Sequence, residues 1–156
     1  MPHIQKLEVM HEAKCCADKL YRMLTRDAPK LPKYLPNVLE SVEVIGDGEI
    51  RLGTVFVWNF FSEGGNVTKE KITAVDNKNR SITYTILEGN LMKDFRSFHF
   101  NLDITPKSGT AANGASLVKW SVKYEKANEN VPDPVGILES CEYMTTEMNL
   151  HLLKQA

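Results

Sequence analysis

The sequence predicts an α+β fold in which a long C-terminal helix packs on one antiparallel sheet. Three observations carry that prediction. Apolar residues alternate with polar ones along seven separate stretches, the two-residue period of strands that bury one face. A period of three to four residues replaces it after the first strand and again, at length, near the end of the chain. Gly, Asn and Asp clusters suited to tight turns separate the strands, and no stretch reads as an internal repeat or a linker, so residues 1–156 are expected to form one domain.

Residues 4–13 read as the first strand, with Leu7, Val9, His11 and Ala13 on one face and Lys6, Glu8, Met10 and Glu12 on the other. Helical spacing from Cys15 to Thr25 then groups Ala17, Leu20, Tyr21 and Leu24. Pro29, Pro32 and Pro36 leave room only for a short second helix over Ala28–Tyr34. Val38–Ile45 is the second strand and ends at Gly46-Asp47-Gly48. Thr54–Phe61 sets Phe56, Trp58 and Phe60 on one face, and Gly64-Gly65-Asn66 turns the chain into Val67–Val75. Asp76-Asn77-Lys78-Asn79 is a second turn. Arg80–Leu87 follows, with Ile82, Tyr84 and Ile86 together.

Phe98, Phe100, Leu102 and Ile104 alternate with His99, Asn101 and Asp103, the clearest half-buried strand of the chain. Ser108–Ala115 is a loop of small residues, and the last strand presents Val118, Trp120, Val122 and Tyr124. The final helix is expected to start with Asp133 as its N-cap and Pro134 as its first residue, where a missing N–H does no harm. Ile137, Cys141, Met144, Met148 and Leu152 form its apolar stripe. Running to about Lys154, it would be roughly 30 Å long at about 1.5 Å per residue.

Composition and motifs exclude several functions. Nineteen basic against twenty acidic side chains give a formal charge of −1, without the basic field of nucleic-acid or anionic-membrane binders, so neither partner is expected. No apolar run reaches the roughly 18 residues of a membrane-spanning helix. The N-terminal stretch lacks the apolar core of a signal peptide, and three cysteines do not make a disulfide framework, so a cytoplasmic location is expected. Without a leader, the glycosylation sequon Asn66-Val67-Thr68 carries little weight. Gly48–Gly53 has the glycine spacing of a phosphate-binding loop, but Thr54 and Val55 stand where its lysine and hydroxyl residue belong, and a strand follows instead of a helix. His3, His11, Cys15, Cys16, His99, Cys141 and His151 show no metal-ligand spacing, and no nucleophile elbow or dinucleotide fingerprint is present. No metal and no cofactor are expected.

Strand parity defines an inner lining: Phe56, Trp58, Phe60, Ile82, Ile86, Phe98, Phe100 and Trp120, faced by Ile137, Cys141, Met144 and Met148 of the helix. These residues either fill a solid core or wall a cavity; methionines suit an adaptable wall, but parity and composition do not decide between the two. Three polar residues share the inner parity. Glu70 lies in register with Ile72 and Ala74, opposite Ile86 and diagonal to Tyr84. It is either a buried carboxyl with a raised pKa beside a phenol, or a rim residue paired with Lys69 or Lys71. His11 either points inward or meets water at its strand end. Glu70, Tyr84 and His11 are therefore the candidate proton-transfer groups. Cys141 suits a small core residue better than a nucleophile.

The residues also carry a family resemblance along nearly the whole chain. Gly53-Thr54-Val55-Phe56-Val57-Trp58-Asn59-Phe60, Glu88-Gly89-Asn90-Leu91-Met92-Lys93-Asp94-Phe95-Arg96-Ser97-Phe98, and Trp120-Ser121-Val122-Lys123-Tyr124-Glu125-Lys126 with Asn128-Glu129 resemble motifs of plant major latex proteins. The N-terminal Leu7-Glu8-Val9 and Ala17-Asp18-Lys19-Leu20-Tyr21 follow the same pattern. These proteins belong to the superfamily of class-10 pathogenesis-related proteins and the major birch-pollen allergen. The resemblance implies a helix-grip fold: a seven-stranded curved antiparallel sheet wrapped around the long C-terminal helix, with two short helices closing one end. It also implies an internal apolar cavity, which takes hormones, sterols, flavonoids or alkaloids in relatives, while some relatives are cofactor-independent enzymes. The glycine-rich loop of pathogenesis-related relatives is altered here by Glu49, Ile50, Arg51 and Leu52, which weakens any phosphate role further.

Two functions are therefore expected in competition. One is a monomer that binds a small apolar plant metabolite in the cavity. The other is a cofactor-independent cyclase, isomerase or lyase of terpenoid or alkaloid intermediates, in which orientation supplies most of the effect and Glu70, Tyr84 or His11 moves a proton. Ribonuclease activity fits poorly with the charge balance.

Overall fold

Short turns tie most strands of this chain to their sequence neighbours, and the sheet order follows from that. A computed structural model describes residues 3–61, 66–107 and 114–154. The predicted turn residues Gly64 and Gly65, and positions 108–113 of the predicted loop, lie outside them. The strands are β1 (Ile4–Ala13), β2 (Leu39–Ile45), β3 (Val55–Phe60), β4 (Asn66–Asp76), β5 (Ser81–Glu88), β6 (Phe95–Pro106) and β7 (Ser116–Lys126). They form one antiparallel sheet in the order β1-β7-β6-β5-β4-β3-β2, a meander from β2 to β7 with β1 added beside β7. Helices α1 (Ala17–Leu24) and α2 (Leu31–Tyr34), with a 3-10 turn at Ala28–Lys30, connect β1 to β2. The long helix α4 (Val135–Lys154) follows β7, and the α+β architecture is the expected one.

The inner faces follow parity closely. Phe56, Trp58, Ile82, Tyr84, Ile86, Phe98, Leu102, Val118, Trp120, Val122 and Tyr124 are all buried, while Phe60 and Phe100 are partly buried against the same core. On α1 the predicted Ala17, Leu20, Tyr21 and Leu24 are buried, joined by Met23. Four details depart from the sequence reading. Ala74 was expected inward with Glu70 and Ile72, but a bulge at Thr73 shifts the register from Ile72↔Tyr84 to Ala74↔Thr83, and Ala74 is exposed. A one-turn helix α3 (Leu91–Asp94) precedes β6. β6 itself starts at Phe95, whose buried ring meets Phe98 and Tyr124 edge-on, with centroids 5.0 and 5.5 Å apart. Finally, α4 starts at Val135, so Pro134 precedes it and Asp133 is not its N-cap. The Asp133 carboxylate instead accepts from Tyr124 Oη at 2.9 Å and ion-pairs with Lys126 at 2.9 Å, and Lys126 with that phenol holds its pKa down.

The buried side of α4 is Leu138, Thr145 and Met148, so of the predicted stripe only Met148 is fully buried. Ile137, Cys141, Met144 and Leu152 are half-buried beside it. Thr145 holds the helix to the sheet: its Oγ1 accepts from Trp120 Nε1 at 2.8 Å and donates to the Cys141 carbonyl at 2.9 Å. A second tie runs from the Cys15 amide to Asn149 Oδ1 at 2.8 Å, and Ser116 Oγ donates to the Cys15 carbonyl at 2.8 Å. At the turn end of the sheet, Tyr21 Oη donates to Asn77 Oδ1, and Asn77 Nδ2 donates to the Ile50 carbonyl. One asparagine thus joins α1, the β4–β5 turn and the β2–β3 loop.

Replacing Thr145 by Val keeps the shape but strands the buried Trp120 N–H. Urea unfolding is expected to show a loss of about 1–3 kcal/mol, the cost of an unsatisfied buried donor. Thr145→Ser, which keeps the hydroxyl, is expected to recover most of it.

Candidate functional site

α4 does not fill the concavity of the sheet. Where Ile137, Cys141 and Met144 face it, a cavity of about 360 Å³ remains, at the small end of the range for ligand sites. Trp58 and Phe60 of β3, Thr68 and Glu70 of β4, Tyr84 of β5, Phe100 of β6 and Trp120 of β7 form the sheet wall. Leu24, Val38, Phe61, Asn66, Leu91 and Ser140 complete the lining. Phe61 and Ser140 are exposed as well as lining, so the cavity meets solvent beside them.

Seven of the predicted lining residues border this space: Trp58, Phe60, Phe100, Trp120, Ile137, Cys141 and Met144. Phe56, Ile82, Ile86, Phe98 and Met148 do not; they are buried on the same faces but packed into solid core. Phe56 stands behind the wall, stacked on Trp58 with centroids 6.1 Å apart and edge-on to Tyr84 at 5.4 Å. Phe98 is taken up by Phe95, Phe100 and Tyr124. Parity gave these five their face but not their position along the helix. Sequence reasoning missed Asn66, Thr68 and Ser140, polar residues that a search for apolar periodicity passes over. It also missed Leu24, Val38, Phe61 and Leu91, which stand at or beyond element ends.

Glu70 is 6% exposed, lines the cavity, and sits opposite Phe56 on one side and Ile86 on the other. The rim alternative is thereby set aside: its side chain makes no ion pair with Lys69 or Lys71 among the described residues. Burial pushes its pKa from 4.5 to about 8. The Trp58 indole N–H lies beside the carboxyl and pulls the other way, but not in hydrogen-bonding geometry, since Trp58 Nε1 has no partner within the chain. The Tyr84 hydroxyl is also buried and unpartnered; burial first, then Glu70 and Tyr21, push its pKa well above the ordinary phenol value. Asn66 Oδ1 is a third buried atom without a partner. Across the cavity, burial and the charge of Glu70 raise the Cys141 thiol to about 12, so it stays a thiol and a poor nucleophile.

His11 does not join this group. It is half-buried on the inner face of β1, opposite Val118, and three strands (β7, β6, β5) separate β1 from the Glu70 strand. Burial lowers its pKa while Glu142 of α4 opposes the shift, and its Nε2 is buried without a partner. Of the three candidate proton-transfer groups, the fold therefore brings Glu70 and Tyr84 together and leaves His11 apart. His99 lies on the outer face, its Nδ1 2.8 Å from Thr85 Oγ1. Among the described residues no group of three or more His, Cys, Asp or Glu could hold a metal ion, and no helix is long and apolar enough to cross a membrane. In the Gly46–Gly53 loop Arg51 pairs with Asp47.

A curved antiparallel sheet gripping a C-terminal helix, with a cavity between them, defines the helix-grip class. The chain belongs to the "Pathogenesis-related protein Bet v 1 family", which its residues 3–155 match. Within that family it is similar to major latex-like proteins. It is 33% identical to MLP-like protein 43 of Arabidopsis thaliana over 153 residues, 97% of this chain and 95% of that protein. The crystal structure of ginseng major latex-like protein 151 from Panax ginseng superposes with a TM-score of 0.84 at 27% identity, covering 95% of this chain and 97% of the other. A point mutant of norcoclaurine synthase from Thalictrum flavum, solved with a transition-state analogue, has a TM-score of 0.73 at 22% identity over 97% of both chains. That last likeness is one of fold.

The raised Glu70 pKa has a signed consequence. Folded, the carboxyl keeps its proton up to about pH 8; unfolded, it loses it near 4.5. The unfolded state therefore binds fewer protons in that window, and stability falls as pH rises through it. Glu70→Gln removes this slope. Its melting temperature relative to wild type is expected to climb from pH 5 to 8 and then level off, toward a gain of roughly 3–5 kcal/mol at about 1.4 kcal/mol per pKa unit.

Proposed function

We propose that this protein binds a small, largely apolar plant metabolite in the cavity between its sheet and α4. The observation that carries the reading is the composition of the wall. Aromatic and aliphatic side chains supply the surface, and among the polar lining residues Trp58 Nε1, Asn66 Oδ1 and Tyr84 Oη are buried without partners in the chain, beside the Glu70 carboxyl. Apolar burial gives affinity and these groups give orientation. Terpenoids, sterols, alkaloids and hormones of modest size have this character. The reading calls for no cofactor, no nucleic acid and no second copy. It puts the protein in the cytoplasm as a monomer, in keeping with Cys15, Cys16 and Cys141 all being free thiols.

A second reading rests on one further observation. Glu70, titrating near pH 8, lies beside the Tyr84 phenol inside the cavity, the arrangement of a general acid at neutral pH. We infer from it a cofactor-independent cyclase, isomerase or lyase acting on a metabolite held in a reactive conformation. The norcoclaurine synthase likeness supports the view that this fold can carry such chemistry.

Both readings meet one experiment. The protein is incubated with a plant metabolite extract, and retained compounds and new products are identified by mass spectrometry. Retention without conversion is expected for the carrier; conversion lost in Glu70→Gln and Tyr84→Phe is expected for the enzyme. A neutral naphthylamine dye is expected to bind wild type and quench Trp58 and Trp120. Met144→Trp, which fills the cavity, is expected to weaken it by at least tenfold, about 1.4 kcal/mol. Unchanged dye binding in that variant would place the ligand elsewhere.

A further inference from the structure

We propose that the polar wall of the cavity is a receptor for a carbonyl oxygen, and that the occupant is a neutral, mainly apolar aldehyde or ketone. This rests on the cavity being the binding site. Three adjacent strands contribute polar side chains to the same wall: Trp58 from β3, Asn66, Thr68 and Glu70 from β4, and Tyr84 from β5. The indole N–H and the phenol oxygen are buried with no partner in the chain. Trp58 adjoins the Glu70 carboxyl, and Glu70 in turn acts on Tyr84, so the three form one cluster.

Their chemistry is lopsided. An indole offers only a donor, whereas a phenol and a carboxyl that keeps its proton each offer one donor beside an acceptor oxygen of their own. A buried donor left without an acceptor costs about 1–3 kcal/mol; the Trp58 N–H and the Tyr84 O–H stand unpaired against one unpaired amide acceptor, Asn66 Oδ1. A carbonyl oxygen brings two lone pairs and no hydrogen of its own. A hydroxyl would take one donor but bring another. A carboxylate is disfavoured because no Lys, Arg or His is among the described lining residues and Glu70 is already there. An oxygen held by these donors carries extra negative charge, which polarises its carbon. Cys141, the nearest sulfur nucleophile, is kept in its unreactive thiol form.

The test uses a matched rigid series: menthone, menthol, menthane and menthane carboxylate, with affinities from tryptophan quenching and from displacement of the neutral dye. Menthone is expected to bind roughly tenfold tighter than menthane and tighter than menthol and the carboxylate. The infrared carbonyl stretch of bound menthone is expected to lie below its value in water, a readout that a merely structural wall would not move. Tyr84→Phe and, separately, Trp58→Phe are expected to narrow the gap between menthone and menthane and to return the stretch toward its value in hexane. Equal binding of menthone and menthane with an unshifted stretch overturns the carbonyl site while leaving the apolar cavity standing. Menthol or the carboxylate binding as tightly as menthone overturns it too. If no member of the series binds and the dye does not either, the cavity reading itself fails.

Discussion

The hydrogen bond from Trp120 to Thr145 is the joint on which the rest of this structure depends. It is the one buried side-chain bond between the sheet and α4 among the described residues, and it fixes both partners at once. The Thr145 hydroxyl gives its hydrogen to the Cys141 carbonyl and accepts from Trp120, so it has no donor left for a ligand. Trp120, anchored by its nitrogen, presents its ring as cavity wall. One helical turn away, Cys141 and Met144 stand off from the sheet and leave the space open. Leu138 and Met148 seal the helix on either side. Cavity and core are thus consecutive stretches of the same interface.

Much of the fold was legible because a half-buried strand writes its orientation in alternate residues. Thirteen inner-face positions could be assigned from β3 to β7 by counting, and the same counting set Glu70 inward and opposite Ile86, where the structure has it. Counting failed where the backbone inserts a residue. Thr73 breaks the alternation and turns Ala74 outward, and no local residue type announces that bulge. Asp133 misled for a different reason. Asp followed by Pro is a strong helix-start signal, but a carboxylate that meets Lys126 and Tyr124 is held there by tertiary contacts invisible in the local sequence.

The site was less legible than the fold. Periodicity reports which face a side chain occupies, whereas a cavity depends on how far the opposing surface lies. Phe56 and Trp58 have the same parity on the same strand, yet only Trp58 meets open space. His11 shows the same limit across the sheet. Its inward parity was correct, but β1 reaches the Glu70 strand only through β7, β6 and β5, a separation set by topology. Thr145 went unread because a threonine on an apolar stripe looks like an interruption, when in fact its hydroxyl is the attachment point of the helix.

Glu70 gives the strongest support to the proposed occupant of the cavity. A carboxyl with a pKa near 8 in the folded state weakens the fold at neutral pH, and two neighbouring buried polar atoms, Trp58 Nε1 and Tyr84 Oη, lack partners. Apolar replacements at these positions would pack better and remove the unmet donors. Stability alone therefore does not explain the wall. The residues that carry these groups line the same 360 Å³ of space, whereas the solid core behind it, with Phe56, Ile82 and Phe98, is apolar. Unmet groups in a cavity wall are what the proposed binding or reacting site would use, because a ligand that supplies the missing partners recovers in binding what the empty fold gives up.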